Sequence, residues 1–240
     1  MGNENGEWIM HGIGENDPYR IKTADQLAEY VREIGFLPLF ANAIPGFSVE
    51  ERTLTRDWWS DDPTRDPWLW RQIIAAGGQI AYGKFFDKKA GFISPDWLPV
   101  FANARRDGYD FDARWEDGKA SNRARKIMEL FADGEELFSY QVRRLAGFGK
   151  EGEKNFEGTV TALQMQTYLV VRDFRCRLNK RGAPYGWPIA VYAAPEFVWG
   201  YDAVTAAYSE PPEVSRRKIY EHMRRIWPVA TEDQLRRVLG

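Results

Sequence analysis

Five stretches, SNRARKIMELFA (Ser121–Ala132), SYQVRRLA (Ser139–Ala146), NFEGTVTALQMQTY (Asn155–Tyr168), LVVRDFRCRL (Leu169–Leu178) and PIAVYA (Pro188–Ala193), decide how this chain is read. The first three have helical character and the last two have strand character. Ser121 and Ser139 are suited to cap the first two helices, because a seryl oxygen accepts from the free N–H groups of a first turn. In the third, Phe156, Val160, Leu163 and Thr167 recur at spacings of four, three and four, which gathers them on one face. In the fourth, Val170, Arg172, Phe174, Cys176 and Leu178 alternate with Val171, Asp173, Arg175 and Arg177, and the β-branched content favours a strand. A Gly-containing turn, residues 148–152, joins the second and third helices, and a loop from Asn179 to Trp187 joins the strands. Three helices followed by a hairpin is the order of a winged helix-turn-helix, which makes nucleic acid the first partner to consider. Many winged helices pack on protein instead.

Outward from this segment, the chain reads as an α+β protein, mostly helical: a winged helix-turn-helix with an N-terminal helical domain. Residues 1–22 are expected to form a flexible arm rich in Gly, Asn and Glu. Residues 23–112 form the helical domain. Within it, Thr23-Ala24-Asp25-Gln26 has the form of a capping box and Gly35 a stop signal, and Asp66-Pro67 opens a helix ended by Gly77-Gly78. The winged helix occupies 118–200. Residues 201–240 supply C-terminal helices: a basic amphipathic one over Pro212–Trp227 and a last one capped by Thr231-Glu232-Asp233-Gln234.

Composition sets bounds. With 240 residues, 44% of them hydrophobic and 15% aromatic, the chain can bury a core and does not read as disordered. A single cysteine, Cys176, leaves no intramolecular disulfide and fits a reducing compartment. No apolar run approaches the roughly 18 residues of a membrane span, and the N-terminus carries no export or myristoylation signal, so a cytoplasmic location and no membrane partner are expected. The net charge of −2 gives no global sign of nucleic-acid binding. Its distribution is more telling: residues 1–66 carry 13 acids against 6 Lys/Arg, whereas Arg172, Arg175, Arg177, Lys180 and Arg181 crowd one strand and its loop with only Asp173 for company. Such a patch either attracts phosphate through its own field or is simply solvated and paired.

The N-terminal region shows the order Arg32-Glu33-Ile34-Gly35-Phe36-Leu37-Pro38-Leu39-Phe40 and then Ile80–Trp97, IAYGKFFDKKAGFISPDW. Ala162–Val171 and Ile226–Gly240 follow. Together these stretches resemble the winged-helix DNA glycosylases of the AlkZ/YcaQ type, over roughly residues 24–240. The resemblance implies a tandem winged-helix protein that removes alkylated bases from DNA. Its catalytic pair, a Gln followed two residues later by Asp or Gln, falls here on Pro38 and Phe40, and the family histidine falls near Asp87. Hydrolysis of an N-glycosidic bond needs a group that holds water and one that steadies the oxocarbenium charge, and Pro and Phe supply neither. The chain therefore reads as a shortened relative without the usual catalytic pair.

Asp87 is the candidate for a relocated catalytic carboxylate; beside Lys88 and Lys89 it is equally a surface residue. Asp57, Asp61, Asp62 and Asp66 lack calcium-loop spacing, no zinc, Walker A or dinucleotide motif occurs, and neither metal nor cofactor is expected. Trp58, Trp59, Trp68 and Trp70 form either a stacking platform or a hydrophobic core. The outer face of the third helix presents Asn155, Gly158, Thr161 and Met165, flanked by Ala162, with Lys154 at its start, and offers little for base readout. The nucleic-acid-binding set is accordingly Lys154, Asn155, Thr161, Arg172, Arg175, Arg177, Lys180 and Arg181, with Tyr185 and Trp187 positioned to approach a base or fold back on the body. The expected function is that of a non-enzymatic DNA-associated protein related to alkylation-repair glycosylases. The alternatives are an active glycosylase with relocated residues and a protein-interaction or homo-oligomerising module.

Overall fold

A computed structural model of the chain describes residues 9–240, and its architecture is α+β, with helices and two small antiparallel sheets. The elements are α1 (Ala24–Ile34), β1 (Phe36–Pro38), α2 (Pro67–Gly77), β2 (Ala81–Phe86), β3 (Lys89–Ile93), α3 (Leu98–Arg106), α4 (Phe111–Glu116), α5 (Asn122–Met128), β4 (Leu137–Phe138), α6 (Ser139–Leu145), α7 (Phe156–Met165), β5 (Val170–Leu178), β6 (Pro184–Ala193), α8 (Pro195–Trp199), α9 (Tyr201–Val204), α10 (Pro212–Ile226) and α11 (Glu232–Leu239). None of these helices is long and apolar enough to cross a membrane. The chain divides into two compact units, Met1–Trp97 with Ile219–Gly240, and Leu98–Lys218. This partition differs from the linear division at about residue 115: α3 falls in the second unit, and the residues of α10 from Ile219 on fall in the first. In α10, Ser215 accepts from Asn103 Nδ2 at 3.0 Å in the second unit, and His222 and Met223 are core residues of the first.

The first unit is not purely helical. β1, β3 and β2 form an antiparallel sheet in that spatial order, with Pro38 opposite Gly91 and Ala81 opposite Ile93. The β2–β3 hairpin closes through Asp87 and Lys88, which adopt φ of 47° and 62°. Positive φ at both central residues is the type I′ requirement, usually met by Asn-Gly. Asp-Lys meets it here without that signature, so the turn residues do not announce a hairpin. Phe36 is fully buried and its ring touches Phe47, Phe86, Trp97 and His222 at 5.4–6.2 Å. Each such phenyl contributes about 1.5–3 kcal/mol by leaving water. Gly35 ends α1 with φ of 91°, and a Cβ there would lie 2.5 Å from the Trp97 indole, so both its backbone and its space require glycine.

The flexible-arm expectation for residues 1–22 meets the structure only from residue 9 on; residues 1–8 lie outside the described residues. The rest of that segment is tied down. His11 N donates to Glu50 Oε1 at 2.7 Å, Ile13 N to Thr53 O and Ile21 N to Arg52 O, and Ile21 is buried. Thr23, Asp66, Ser121 and Thr231 cap their helices as read. Ser139 does not: the cap is Phe138, whose N–H donates to the Gln141 side chain at 2.9 Å, and the short strand β4 was not foreseen.

In the second unit β4, β6 and β5 pair antiparallel in that order. Helix α7 ends early, at Met165, because Thr167 takes φ of 63° and turns the chain into β5. A β-branched residue in the left-handed region is strained and needs its surroundings to hold it. Arg106, with a fully buried side chain, does so: Nη2 donates to Thr167 O at 2.6 Å and Nε to Thr167 Oγ1 at 3.2 Å. Its Nη1 reaches Glu196 at 2.5 Å and Tyr208 OH at 3.2 Å, and the guanidinium lies 4.4 Å from the Tyr168 ring centroid. Replacing Arg106 by Met leaves Glu196 and the Thr167 carbonyl without this partner. A loss of about 3–5 kcal/mol in chemical denaturation is expected.

His222 yields a pH prediction. Its ring is buried between Trp97, at 4.3 Å, and Phe36. Nε2 donates to Ile34 O at 2.7 Å, and Nδ1 accepts from Arg225 at 2.9 Å, which fixes the neutral tautomer. Burial, with Arg225 beside it, lowers its pKa below 6.5. The unfolded chain therefore takes up a proton first, so stability is complete above pH 6.5 and falls as pH drops through the folded value. The melting temperature should decline as the pH falls below about 6.5, and His222→Gln should flatten that decline.

Candidate nucleic-acid interface

The β5–β6 hairpin is buried at its base and exposed toward its turn. Its strands pair from Val170↔Ala193 to Leu178↔Pro184, with irregularities at Val171/Asp173 and Arg175/Arg177. The turn is built by Asn179, whose Oδ1 accepts from Arg181 N and Ala183 N, and by Gly182 at φ of 77°. The strand begins at Pro184, so Tyr185 and Trp187 stand on β6, not in the connecting loop where the sequence reading placed them. Tyr185 is opposite Arg177. Trp187 is 90% exposed, and Leu178 and Tyr185 are also exposed. An indole left in water forgoes roughly 2–3 kcal/mol of burial, and its fold-back on the body does not occur.

The five cations of the patch separate into two groups. Arg172 and Arg175 both reach Glu136, at 3.5 and 2.5 Å, and Arg175 also holds Asp173 at 2.5 Å. Arg177 lies over the Tyr140 ring at 4.4 Å, and Arg177, Lys180 and Arg181 form no ion pair among the described residues. Glu136, outside the strands, was the compensating charge that strand composition did not reveal. Arg143 and Arg144 of α6 are exposed beside Tyr140 in sequence and add two cations that the motif reading missed.

Helix α7 offers less than its outer face suggested. Thr161 is buried, not outward, because Thr159, Val160, Thr161, Leu163 and Gln164 all lie inside and leave only a narrow exposed stripe. That stripe, Asn155, Gly158, Ala162 and Gln166, floors a cleft of about 340 Å³ walled by Arg114, Lys119 and Arg123. A Cβ at Gly158 would come within 2.4 Å of the Asn155 amide, so the glycine lets Asn155 lie flat. Lys154 folds back: its ammonium donates to Gly149 O at 2.9 Å and to Lys150 O.

In the first unit, the two stretches that carry the N-terminal resemblance become neighbouring strands, β1 against β3. Pro38 ends β1, and Phe40 beyond it packs on Trp58 at 5.5 Å and Trp68 at 6.3 Å. The nearby Glu50 is buried, with both carboxylate oxygens taken by backbone N–H groups of His11 and Ala41. Asp87 sits in the hairpin turn, its carboxylate 3.4 Å from Arg237 Nε. Neither arrangement presents a free carboxylate beside Phe40. Trp58 and Trp70 are core residues, whereas Trp59 is 54% exposed at φ of 56° and is held by Asp66, whose Oδ1 accepts from both Trp59 N and Trp68 N. Burial raises the Asp66 pKa against the pull of these two bonds. Two of the other acids are explained locally: Asp57 pairs with Arg20 and Arg65, and Asp62 accepts from Thr64. The Cys176 thiol donates to Gly186 O at 3.6 Å.

This geometry separates surface from scaffold. Trp187→Ala should change stability by less than about 0.5 kcal/mol. Asp66→Ala, which removes a helix cap and the anchor of Trp59, should cost about 1–2 kcal/mol. Thermal unfolding of the two variants checks both.

A model of the AlkZ-related family matches residues 21–240. No curated protein and no solved structure matches the chain.

Proposed function

The chain belongs to the AlkZ-related family, and on that premise we propose that it is a DNA-associated winged-helix protein, related to the alkylation-repair glycosylases, that binds duplex without removing a base. The element order α5, β4, α6, α7, β5, β6 with strand order β4-β6-β5 supports the winged-helix reading. Helix α7 is then the recognition helix and the β5–β6 hairpin the wing. The observation that carries DNA binding is a 90% exposed Trp187 on the same hairpin as three cations, Arg177, Lys180 and Arg181, with no acidic partner among the described residues.

The division of labour follows from that geometry. Arg177, Lys180 and Arg181 neutralise phosphates, and Trp187 and Tyr185 enter a groove or stack on a base. Arg172 and Arg175 act mainly through Glu136, stiffening the base of the wing. Helix α7, with its small and neutral stripe, contributes fit more than base readout. Absence of base removal is supported by Pro38 and Phe40, which stand where the family's polar pair falls and, at Phe40, pack into indoles. An active enzyme would need Asp87 detached from Arg237.

Three phosphate contacts give a slope of log affinity against log salt near −2.7 on B-form duplex, from about −0.9 per contact. Fluorescence anisotropy should show this slope for the native chain. Arg177→Glu/Lys180→Glu/Arg181→Glu should abolish binding while leaving the fold intact. Unchanged affinity in that variant would remove the wing from the account.

A further inference from the structure

Helix α4 lies between two clefts of opposite character. On one side is the small basic cleft over α7. On the other, α4, α5, α8 and α9 border a space of about 580 Å³ whose floor includes the buried Phe131 and Tyr168. Its walls carry Trp115, Phe197 and Tyr201, and the last two are 56% and 53% exposed. Tyr201 is held in place by its hydroxyl, which donates to Asp110 Oδ2 at 2.6 Å. That bond raises the phenol pKa to about 12, so the ring stays neutral.

The charge lining this space is one-sided. Asp110, Asp112, Glu116, Glu129 and Glu196 border it against Arg125 alone. Glu129 is neutralised by Arg125 at 2.6 Å and Glu196 by Arg106 at 2.5 Å. Asp110, Asp112 and Glu116 have no cationic partner among the described residues. Three uncompensated carboxylates around exposed aromatic rings are costly for the protein alone and complementary to a cation. The chain already makes this pairing once, since the Arg125 guanidinium lies 4.7 Å from the Trp115 ring centroid while bonding Glu129.

We propose that this cleft is a binding site for a small organic cation, which stacks on Phe197 and Tyr201 and is neutralised by Asp112 and Glu116. Aromatic faces attract weakly hydrated, delocalised or quaternary charge through the ring quadrupole, and the attraction grows as water is excluded. A bare divalent metal fits poorly: it needs several converging oxygens, and no group of three metal-ligating side chains occurs among the described residues. The volume lies in the range of small-molecule sites, about 300–1,000 Å³. The site is separate from the wing and does not depend on the DNA-binding proposal.

Isothermal titration of the full chain with benzyltrimethylammonium, with benzyl alcohol as the neutral control, tests it. Saturable binding of the cation is expected, with the alcohol about tenfold weaker or more, the scale that a favourable cation–π contact supplies. Asp112→Asn/Glu116→Gln, two exposed positions, should weaken the cation to a similar degree and leave the circular dichroism and melting curve unchanged. Arg125→Ala, which uncovers Trp115 and frees Glu129, should tighten it. Lack of saturation with millimolar cation, equal affinity for the alcohol, or unaltered binding by the double variant would overturn the assignment.

Discussion

The second unit depends on one buried guanidinium. Arg106 is fixed at the end of α3, and its donors go to Thr167, Glu196 and Tyr208 with the Tyr168 ring against its face. Burial is the largest influence and opposes its charge, but Glu196, Tyr208 and Tyr168 together outweigh it and the pKa is raised. The consequence is geometric. Thr167 is kept in the left-handed region, so α7 stops at a defined residue and β5 leaves at a defined angle. The hairpin that carries Trp187 and the exposed cations is the continuation of that strand. A single ion therefore links the α3 end, the α7–β5 corner and α8, and the β5–β6 hairpin is aimed by a residue far from it in sequence.

The same arrangement explains what could be read in the chain. Helix ends set by local chemistry were legible, because Thr23, Asp66, Ser121 and Thr231 bond to N–H groups two or three residues away. The three helices and the hairpin were legible from period and turn residues. The α7 end was not, since nothing in Gln166-Thr167-Tyr168 announces a left-handed turn; the stabilising partner is Arg106, some sixty residues earlier. The β2–β3 hairpin was hidden by Asp-Lys at its turn, and β1 by a length of three residues. The tightly held segment from His11 to Ile21 was hidden because its partners, Glu50, Arg52 and Thr53, are remote in sequence.

The candidate site was legible in part for the same reason. Trp187 and Tyr185 could be singled out from sequence, and Trp187 proves to be almost wholly exposed. The basic run could be counted, but which arginines were already compensated depended on Glu136, which joins them only in three dimensions. Thr161 was placed outward from helical period alone; packing on more than one side of α7 turned it in. The aromatic and acidic cleft beside α4 had no sequence signature, since its residues come from segments between 110 and 201.

Family membership and local chemistry point in different directions at Pro38 and Phe40. Pro38 ends the strand β1, which pairs with the hairpin containing Asp87, and Phe40 follows it, yet the side chains there are apolar or already engaged. Binding without base removal is the reading that reconciles the two. Its most direct test is base release from duplex carrying N7-methylguanine, followed by quantifying free base and abasic sites under conditions where the protein is bound. The account predicts release no faster than from the DNA alone; release that rises with protein concentration and is lost in Asp87→Asn would contradict it.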